Sequence, residues 1–337
     1  MFGTIIAAAV TAFVVTALLG ILIIPWLRKL KFGQTILDIG PIWHKKDKQG
    51  TPTMGGMLFI DGILIAFIVG FLFLNYKGLI SFEGAGMQQL ILTVSVLIAA
   101  FLFGFIGFLD DFIKVKKKQN EGLTPIQKLA LQVLVIAAFF TVRYFSGDTS
   151  TVITFPFIGQ LDLWYFYYSI MGLGILYIVN AVNLNDGVDG LCSSVTFIYC
   201  IAFAIISAML SFSGFTVLSV AVAGGCLGFL VWNFHPAKVF MGDTGSMFLG
   251  GIVALMGVAM HVEVLMVIAS AVYIWEALTV LIQTTYFKIT HGKRLFKMTP
   301  IHHSFELRGW SEKKIVIVFS LIGAVAGTAA ILLVQGL

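Results

Sequence analysis

Charged side chains are scarce in this chain. They make up 11% of the 337 residues and hydrophobic residues 59%, whereas an average soluble domain has about 25% charged and about 45–50% apolar residues. The three cysteines lie in apolar runs without metal-ligand spacing, which argues against a disulfide framework or a redox centre. No Pro- or Ser-rich linker and no clear internal repeat divides the sequence. Residues 1–337 are therefore predicted to form one integral domain, and an inverted-repeat transporter is disfavoured.

Long apolar runs fill most of the chain, whose mean hydropathy is +1.01. Runs of about twenty apolar residues cross the hydrocarbon layer as helices, because lipid offers the backbone no hydrogen-bond partner. The sequence therefore predicts an all-α, polytopic integral membrane protein with about ten transmembrane helices. The predicted spans are residues 4–26, 55–75, 90–112, 127–145, 163–181, 190–211, 215–234, 245–260, 262–288 and 315–336. Residues 151–159 are predicted to form a small hairpin.

The basic residues predict the orientation. All of them except Lys77 and Arg143 lie in the loops after odd-numbered spans, which the positive-inside rule places in the cytoplasm. Both termini are then expected outside, and the first span is not expected to be a cleaved signal peptide because no Lys or Arg precedes it. The net charge of +5 indicates an affinity for anionic lipid or phosphate, not for nucleic acid.

The first of three acidic clusters, Asp110 and Asp111, ends the third span. Adjacent helical residues project about 100° apart, so one carboxylate can face a metal or a nucleophile while the other orients it. Acids are unfavourable at a helix C-terminus, where the macrodipole is negative, so this pair needs compensation from nearby lysines or a bound cation. The alternative is that both acids only solvate the helix end.

The second cluster is NLNDGVDG at residues 183–190. Asn183, Asp186 and Asp189 recur every third residue, and if the turn is helical they share one face whose oxygens suit a hard cation or ribose hydroxyls. Gly187 lets a ligand approach the backbone closely. An ordinary Asn-Asp-Gly loop is the alternative.

The third cluster is MGDTG at residues 241–245, which opens the eighth span. Asp243 is either the N-cap of that helix or part of a site at its N-terminus, where phosphate is attracted. The preceding Phe240 either stacks on a base or packs in the bundle. Acids beside lysines at a bilayer surface suggest a divalent cation that holds phosphates, and hence phosphoryl chemistry.

Two consecutive histidines, His302 and His303, lie in the loop after the ninth span, near Glu306. In this basic loop they could bind phosphate, bind a metal or transfer protons. Zinc is disfavoured because no cysteine lies nearby. Glu276 falls within the ninth span, where charge is costly, so it is expected to face the bundle interior.

Together these segments resemble the phospho-N-acetylmuramoyl-pentapeptide transferase family, one of the polyprenyl-phosphate N-acetylhexosamine-1-phosphate transferases. The matching motifs are GTPTMGG at residues 50–56, LDD at 109–111, NAVNLNDG at 180–187, FMGD at 240–243 and PIHHSFE at 300–306. The last motif indicates the muramoyl-pentapeptide branch. Two positions depart from the family pattern: Ser304 stands where the family usually has a third His, and Asn185 where it commonly has Thr.

The resemblance implies a reaction at the cytoplasmic face of a bacterial plasma membrane. Undecaprenyl phosphate would attack the sugar-side phosphorus of UDP-N-acetylmuramoyl-pentapeptide, forming lipid I and releasing UMP, with Mg²⁺ as cofactor. Two anionic phosphates must meet, so a metal and lysines must screen their repulsion. The family is also associated with homodimers.

The resemblance also assigns roles to residues. Asp243 would ligate Mg²⁺, and Asp110, with Asp111 beside it, would be the base or orienting group for the prenyl phosphate. His302 and His303 complete the predicted catalytic set. The predicted substrate-binding residues are Lys48, Thr53, Lys114, Lys128, Asn183, Asp186, Gly187, Asp189, Asn233 and Phe240, the last under the uracil. The alternative for each lysine is an ordinary solvated residue on the cytoplasmic side of the membrane, as the positive-inside rule describes.

Alternatives of two classes stay open. The first is transfer of N-acetylglucosamine-1-phosphate to the same lipid, which an assay of both UDP-sugars separates. The second is a cation transporter, which needs charges deep within several spans, whereas here they lie mainly at the cytoplasmic mouths. A purely structural scaffold would leave the clustered carboxylates without compensation.

Overall fold

The computed structural model describes residues 1–29, 50–79, 81–117, 119 and 121–337. Over these residues the chain is a helical bundle with one β-hairpin. The elements are α1 Phe2–Lys29, α2 Gly56–Tyr76, α3 Gly84–Lys117, α4 Pro125–Phe145, β1 Val152–Phe155, β2 Gly159–Asp162, α5 Phe166–Leu184, α6 Leu191–Met209, α7 Ser213–Asn233, α8 Gly242–Ala259, α9 Glu263–Ala269, α10 Ala271–Ile289, α11 Ile301–Glu306 and α12 Glu312–Leu333, followed by a 3₁₀ turn at Val334–Gly336.

The number of spans agrees with the prediction of an all-α polytopic protein. Among the described residues, nine helices are long and apolar enough to cross a membrane, and the count is ten when the bent pair of α9 and α10 is taken as one span. The prediction of one continuous helix over residues 262–288 is wrong, because the chain bends by 72° between α9 and α10. The buried Glu263 at the start of α9 accepts a hydrogen bond from the Tyr167 hydroxyl, which fixes the direction of this short helix.

Helix α8 forms the centre of the bundle. Every residue from Thr244 to Ala259 is buried, and α3 and α5 pack closely along this helix. Glycine permits the closest approach: a Cβ atom on Gly107 of α3 would lie 2.0 Å from the carbonyl oxygen of Asp243. Small residues at helix contacts let backbones touch in this way. The packing therefore brings the C-terminal part of α3, with its two aspartates, against the start of α8.

The hairpin lies at the opposite end of α3 and α4 from the aspartates. Strands β1 and β2 pair antiparallel, with Val152 opposite Asp162 and Phe155 opposite Gly159. This confirms the predicted hairpin in the connection between the fourth and fifth spans. We call this the hairpin end of the bundle, and the end that carries Asp110 and Asp243 the site end.

A buried polar network secures the hairpin end. Arg143, 1% exposed, donates to Asp148 over 2.8 Å and to the Tyr167 hydroxyl over 2.8 Å. The Nε2 atom of His261 lies 2.9 Å from the same Asp148 carboxylate, and Tyr167 donates in turn to Glu263. The network ties α4, the start of α5 and the α8–α9 connection together, so its role is structural.

Replacing Asp148 with Asn should destabilise this end. Burial alone would raise the pKa of Asp148, but hydrogen bonds from His261 and Arg143 lower that pKa to about 2. The carboxylate therefore contributes stability above its unfolded pKa near 4, and this contribution is lost as the pH falls towards 2. Breaking a buried ion pair costs about 3 kcal/mol. We expect Asp148→Asn to lower the thermal midpoint of the detergent-solubilised protein at pH 7, and the difference from wild type to shrink near pH 3. An equal difference at both pH values would contradict this assignment.

Candidate active site

Three carboxylates meet at the site end. Asp110 and Asp111 come from the last turns of α3, and Asp243 comes from the first turn of α8. Each offers an oxygen within 4.8 Å of the others, and the two α3 aspartates are only 3% and 4% exposed. Like charges this close are unfavourable unless cations compensate them.

Two lysines supply that compensation. The Nζ atom of Lys114, one turn beyond Asp110, lies 2.5 Å from Asp110 Oδ2 and 3.1 Å from Asp243 Oδ2. The Nζ atom of Lys128, on α4, lies 2.9 Å from the same Asp243 oxygen. Two separate helices therefore place ammonium groups on one carboxylate, which solvated surface lysines would not do.

Asp111 has a different set of partners. Its Oδ2 atom accepts hydrogen bonds from the Thr244 backbone N–H (3.0 Å) and the Thr244 hydroxyl (2.7 Å). It therefore satisfies the start of α8 from a neighbouring helix, because Met241 at the N-cap position makes no side-chain cap. The interpretation of Asp243 as a simple N-cap is wrong, since that residue lies inside the first turn and faces the lysines.

Asn183 connects the second acidic cluster to this centre. Its amide donates to Asp243 Oδ1 over 2.9 Å and to the Ser246 hydroxyl over 2.8 Å. Helix α5 ends at Leu184, and the following residues form turns. The predicted common face of Asn183 and Asp189 therefore does not form: the two side chains contact different parts of the molecule.

Asp189 belongs to a clasp that holds the loop at residues 185–190. Its Oδ2 atom lies 3.2 Å from His235 Nδ1 and accepts from the Ala237 backbone N–H, while its own N–H donates to Glu312 over 2.9 Å. Asp189, His235 and Glu312 are the second group in the described part of the chain whose ligand atoms lie close enough to hold a metal ion. The hydrogen bonds among these three residues are sufficient to explain why they lie together, without a metal ion.

Asn233 fixes the same loop from another side. Its side-chain oxygen accepts from the Gly190 backbone N–H, and its amide nitrogen donates to the Val239 carbonyl, each over 3.0 Å. The backbone of Phe240 pairs with the 52–55 segment, donating to Pro52 and accepting from Gly55. A Cβ atom on Gly242 would meet the hydroxyl of Thr53 at 2.8 Å, so Thr53 lies beside the start of α8.

The histidine pair lies against the loop that contains Asp186 and Gly187. A Cβ atom on Gly187 would be 2.3 Å from Nε2 of His302 and 3.2 Å from Nε2 of His303. The two rings are edge to face, with centroids 4.2 Å apart, and His303 Nδ1 lies 2.6 Å from Glu306. Ser304, at the position of the expected third histidine, donates its hydroxyl to the Met298 carbonyl and so closes the preceding loop.

A cavity of about 710 Å³ opens beside this centre. Its lining includes the charged residues Asp110, Lys114, Lys128 and Asp243 and the apolar residue Leu129 of α4. Gln132 and Asn180, also in the lining, hydrogen-bond to each other between α4 and α5. A lining that combines charged and apolar side chains suits a ligand with an anionic head and a hydrophobic tail.

Comparison with known proteins shows the family to which the chain belongs. Residues 93–261 match glycosyl transferase family 4. The phospho-N-acetylmuramoyl-pentapeptide-transferase of Listeria welshimeri is 42% identical over 324 residues, which cover 96% of each chain. The enzyme of the same name from Halalkalibacterium halodurans is 43% identical over 96% of this chain and 95% of its own. That from Clostridium perfringens is 44% identical over 95% and 94%. The chain belongs to this transferase family.

The transferase is thus a phosphoglycosyl transferase with a multi-pass membrane fold. Its structure brings many of the predicted site residues into two groups of contacts at the site end. Asp110, Lys114, Lys128 and Asn183 surround Asp243, and Gly187, four residues beyond Asn183, reaches His302. Lys48 lies outside the described residues, so its predicted role has no structural counterpart here.

Sequence reasoning missed several partners of the candidate site residues. Thr244 and Ser246 bind Asp111 and Asn183, yet their only signal was their position one and three residues after Asp243. His235 and Glu312 hold the loop around Asp189 although they lie 46 and 123 residues from it. Helical spacing could have shown the i to i+4 pairing of Asp110 with Lys114 and the i to i+3 pairing of His303 with Glu306.

Proposed function

We propose that this transferase moves phospho-N-acetylmuramoyl-pentapeptide from UDP-N-acetylmuramoyl-pentapeptide to undecaprenyl phosphate, giving lipid I and UMP in peptidoglycan synthesis. The observation that carries the proposal is the convergence of Lys114 and Lys128 on Asp243 beside a cavity whose lining includes both charged and apolar side chains. The names of the relatives support the choice of sugar.

The reaction exchanges one phosphoanhydride bond for another. An oxygen of the prenyl phosphate bonds to the sugar-side phosphorus, the bond from that phosphorus to the bridging oxygen breaks, and UMP leaves with the electron pair. Lys114 and Lys128 would bind phosphate oxygens and lower the repulsion between the two anions. Both oxygens of Asp110 are engaged, by the Leu123 N–H and by Lys114, which favours an orienting role over that of a free base. Direct displacement needs no covalent enzyme intermediate.

The residues of the acidic cluster fit Mg²⁺. Three carboxylates with oxygens within 4.8 Å of one another are the hard donors that this ion prefers, and the cluster contains no sulfur or imidazole ligand. Asp243, with Asp110 and Asp111 beside it, would hold the ion. When bound, Mg²⁺ would neutralise charge on the pyrophosphate and on the departing UMP.

The nucleoside end of the substrate would lie against the loop from Asp186 to Asp189, with Phe240 under the uracil. Asn233 and the Asp189 clasp would position that loop, because their side chains bind its backbone and its neighbours. Thr53 lies beside Gly242, within the same region. His302 and His303, packed on Gly187, would face the phosphate and sugar groups.

The membrane orientation is part of the same proposal. Basic residues are concentrated at the site end, so we place that end in the cytoplasm at the bacterial inner membrane. The nucleotide sugar would then arrive from the cytosol and the prenyl phosphate from the bilayer. The homodimer stays a prediction.

A radiolabel assay tests the proposed function. Purified protein receives undecaprenyl phosphate with either labelled UDP-N-acetylmuramoyl-pentapeptide or labelled UDP-N-acetylglucosamine, and butanol-extractable label is counted. We expect a labelled lipid from the muramoyl substrate only, with an equal amount of UMP. Label from N-acetylglucosamine alone would establish the alternative transferase, and Mg²⁺ flux into liposomes without UMP release would favour a transporter.

Replacing Lys128 with Met should slow this reaction strongly. Met keeps an apolar stem of similar length but removes the ammonium group that contacts Asp243. Loss of one electrostatic group at a reacting centre lowers kcat about 100-fold. The matched control is Lys288→Met, which removes an exposed lysine from the last turn of α10. Equal turnover in both variants would exclude Lys128 from the site.

A further inference from the structure

The ninth span contains a buried carboxylate that lies against a buried histidine. Glu276 of α10 is 0% exposed, and its Oε2 atom lies 3.1 Å from Nδ1 of His302, which is also 0% exposed. Apart from this contact, neither carboxylate oxygen of Glu276 and neither ring nitrogen of His302 has a hydrogen-bond partner among the described residues. A charge buried in a span is costly, so it persists where a partner of opposite charge or a function stabilises it.

The His302 ring is held between two structural elements. Its Nδ1 atom faces Glu276, and its Nε2 atom faces Gly187, where a Cβ atom would come within 2.3 Å. Gly187 belongs to the loop proposed to bind the nucleotide. The ring therefore presents one nitrogen to a buried carboxylate and the other to the substrate side.

We propose that Glu276 is the positioning residue of His302. Its carboxylate keeps the imidazole proton on Nδ1 and so leaves Nε2 directed at the nucleotide loop, ready to contact a phosphate or sugar oxygen. Carboxylates fix the tautomer and orientation of functional histidines in this way in metal sites and catalytic triads. The distance between Glu276 and His302 is that of an ion pair, but the angle is not that of a hydrogen bond. Catalytic hydrogen bonds are often poorly aligned in the absence of substrate and become well aligned when substrate binds.

The neighbouring histidine, His303, also pairs with a glutamate, but that glutamate lies on the same helix. His303 Nδ1 lies 2.6 Å from Glu306, three residues along the same short helix α11. Glu276, in contrast, lies on α10, 26 residues before His302 in the sequence. The Glu276–His302 pair therefore fixes the position of α11 relative to a membrane span, which the His303–Glu306 pair cannot do.

The inference rests on the proposed function, and a kinetic experiment tests it. Glu276→Ala should lower kcat about 10–100-fold while KM for the nucleotide sugar changes little, because positioning residues act on the reacting geometry. Glu276→Gln should retain more activity than Glu276→Ala, since its amide oxygen still accepts the Nδ1 proton. The control is Glu263→Gln, which alters a buried carboxylate at the hairpin end and should lower thermal stability without lowering kcat. Equal kcat in wild type and both Glu276 variants, or losses that only follow the thermal midpoint, would overturn the inference.

A spectroscopic measurement keeps this inference separate from the proposed function. In ¹⁵N-histidine-labelled protein, the His302 signals are identified by their loss in His302→Gln. Wild type should show His302 protonated at Nδ1, and Glu276→Ala, which removes the acceptor, should show a changed tautomer population. Unchanged His302 signals would refute the role of Glu276. A wild-type protein that makes no lipid product but shows the tautomer shift would instead refute the proposed reaction alone.

Discussion

Asp243→Asn should abolish lipid product formation while the protein still folds. Asp243 is the carboxylate on which Lys114, Lys128 and Asn183 converge, and Asn removes its charge without changing its shape. The lysines then lose the anion that holds them, and the cluster loses its predicted metal ligand. We expect turnover to fall about 1000-fold, at the upper end of the effect of removing one electrostatic group. The measurement is labelled lipid formed per minute by purified protein in detergent.

The matched control for this variant is Asp162→Asn. Asp162 is an exposed carboxylate at the hairpin end, where it accepts hydrogen bonds from Thr151 and Trp164. The two variants make the same chemical change, so only the Asp243 variant should lose activity. Both should keep the elution volume and a thermal midpoint near that of wild type. Full turnover in Asp243→Asn would remove this residue from the chemistry.

Gly107→Ala should disrupt both the bundle and the site. The added methyl group would lie 2.0 Å from the Asp243 carbonyl oxygen and 2.7 Å from the Thr244 nitrogen, which are backbone atoms that cannot turn aside. Helix α3 would have to move away from α8, and the hydrogen bonds from Thr244 to Asp111 would break. Overpacking of this kind costs about 1–3 kcal/mol or more. We expect a lower thermal midpoint and a large loss of turnover, measured on the same preparation.

Gly174→Ala is the control for this second variant. Gly174 lies within α5, and a Cβ atom there meets no other heavy atom within 4 Å. Alanine is the better helix former by about 1 kcal/mol, so this variant should be as stable as wild type or more so. If Gly107→Ala behaved like Gly174→Ala, the close contact between α3 and α8 would be absent in the membrane.

The membrane spans were predictable because the hydropathy of a segment depends only on the residues within that segment. Runs of about twenty apolar residues must be helical in lipid, and the hairpin was signalled by a Pro-Phe-Ile-Gly turn between β-formers. The bend between α9 and α10 was not predictable in this way. It depends on contacts of Glu263 with Tyr167, a residue 96 positions away, which no local pattern contains.

The acidic centre was partly predictable for a similar reason. Acids at helix ends need compensation, and Lys114, one turn after Asp110, was a readable candidate. The different partners of the two α3 aspartates could not be predicted from the sequence, because they depend on which aspartate faces Thr244. The clasp of Asp189 with His235 and Glu312 joins three separate segments, so it required the tertiary structure.

The most direct test of the central claim is the binding of Mn²⁺, a paramagnetic ion that takes the same oxygen ligands as Mg²⁺. Electron paramagnetic resonance on purified protein counts bound ions in wild type, Asp243→Asn and Asp162→Asn. We predict about one tightly bound ion per chain in wild type and Asp162→Asn, and none in Asp243→Asn. Equal binding in all three proteins, or no binding in wild type, would contradict the assignment of this carboxylate cluster as the site where the phosphates meet.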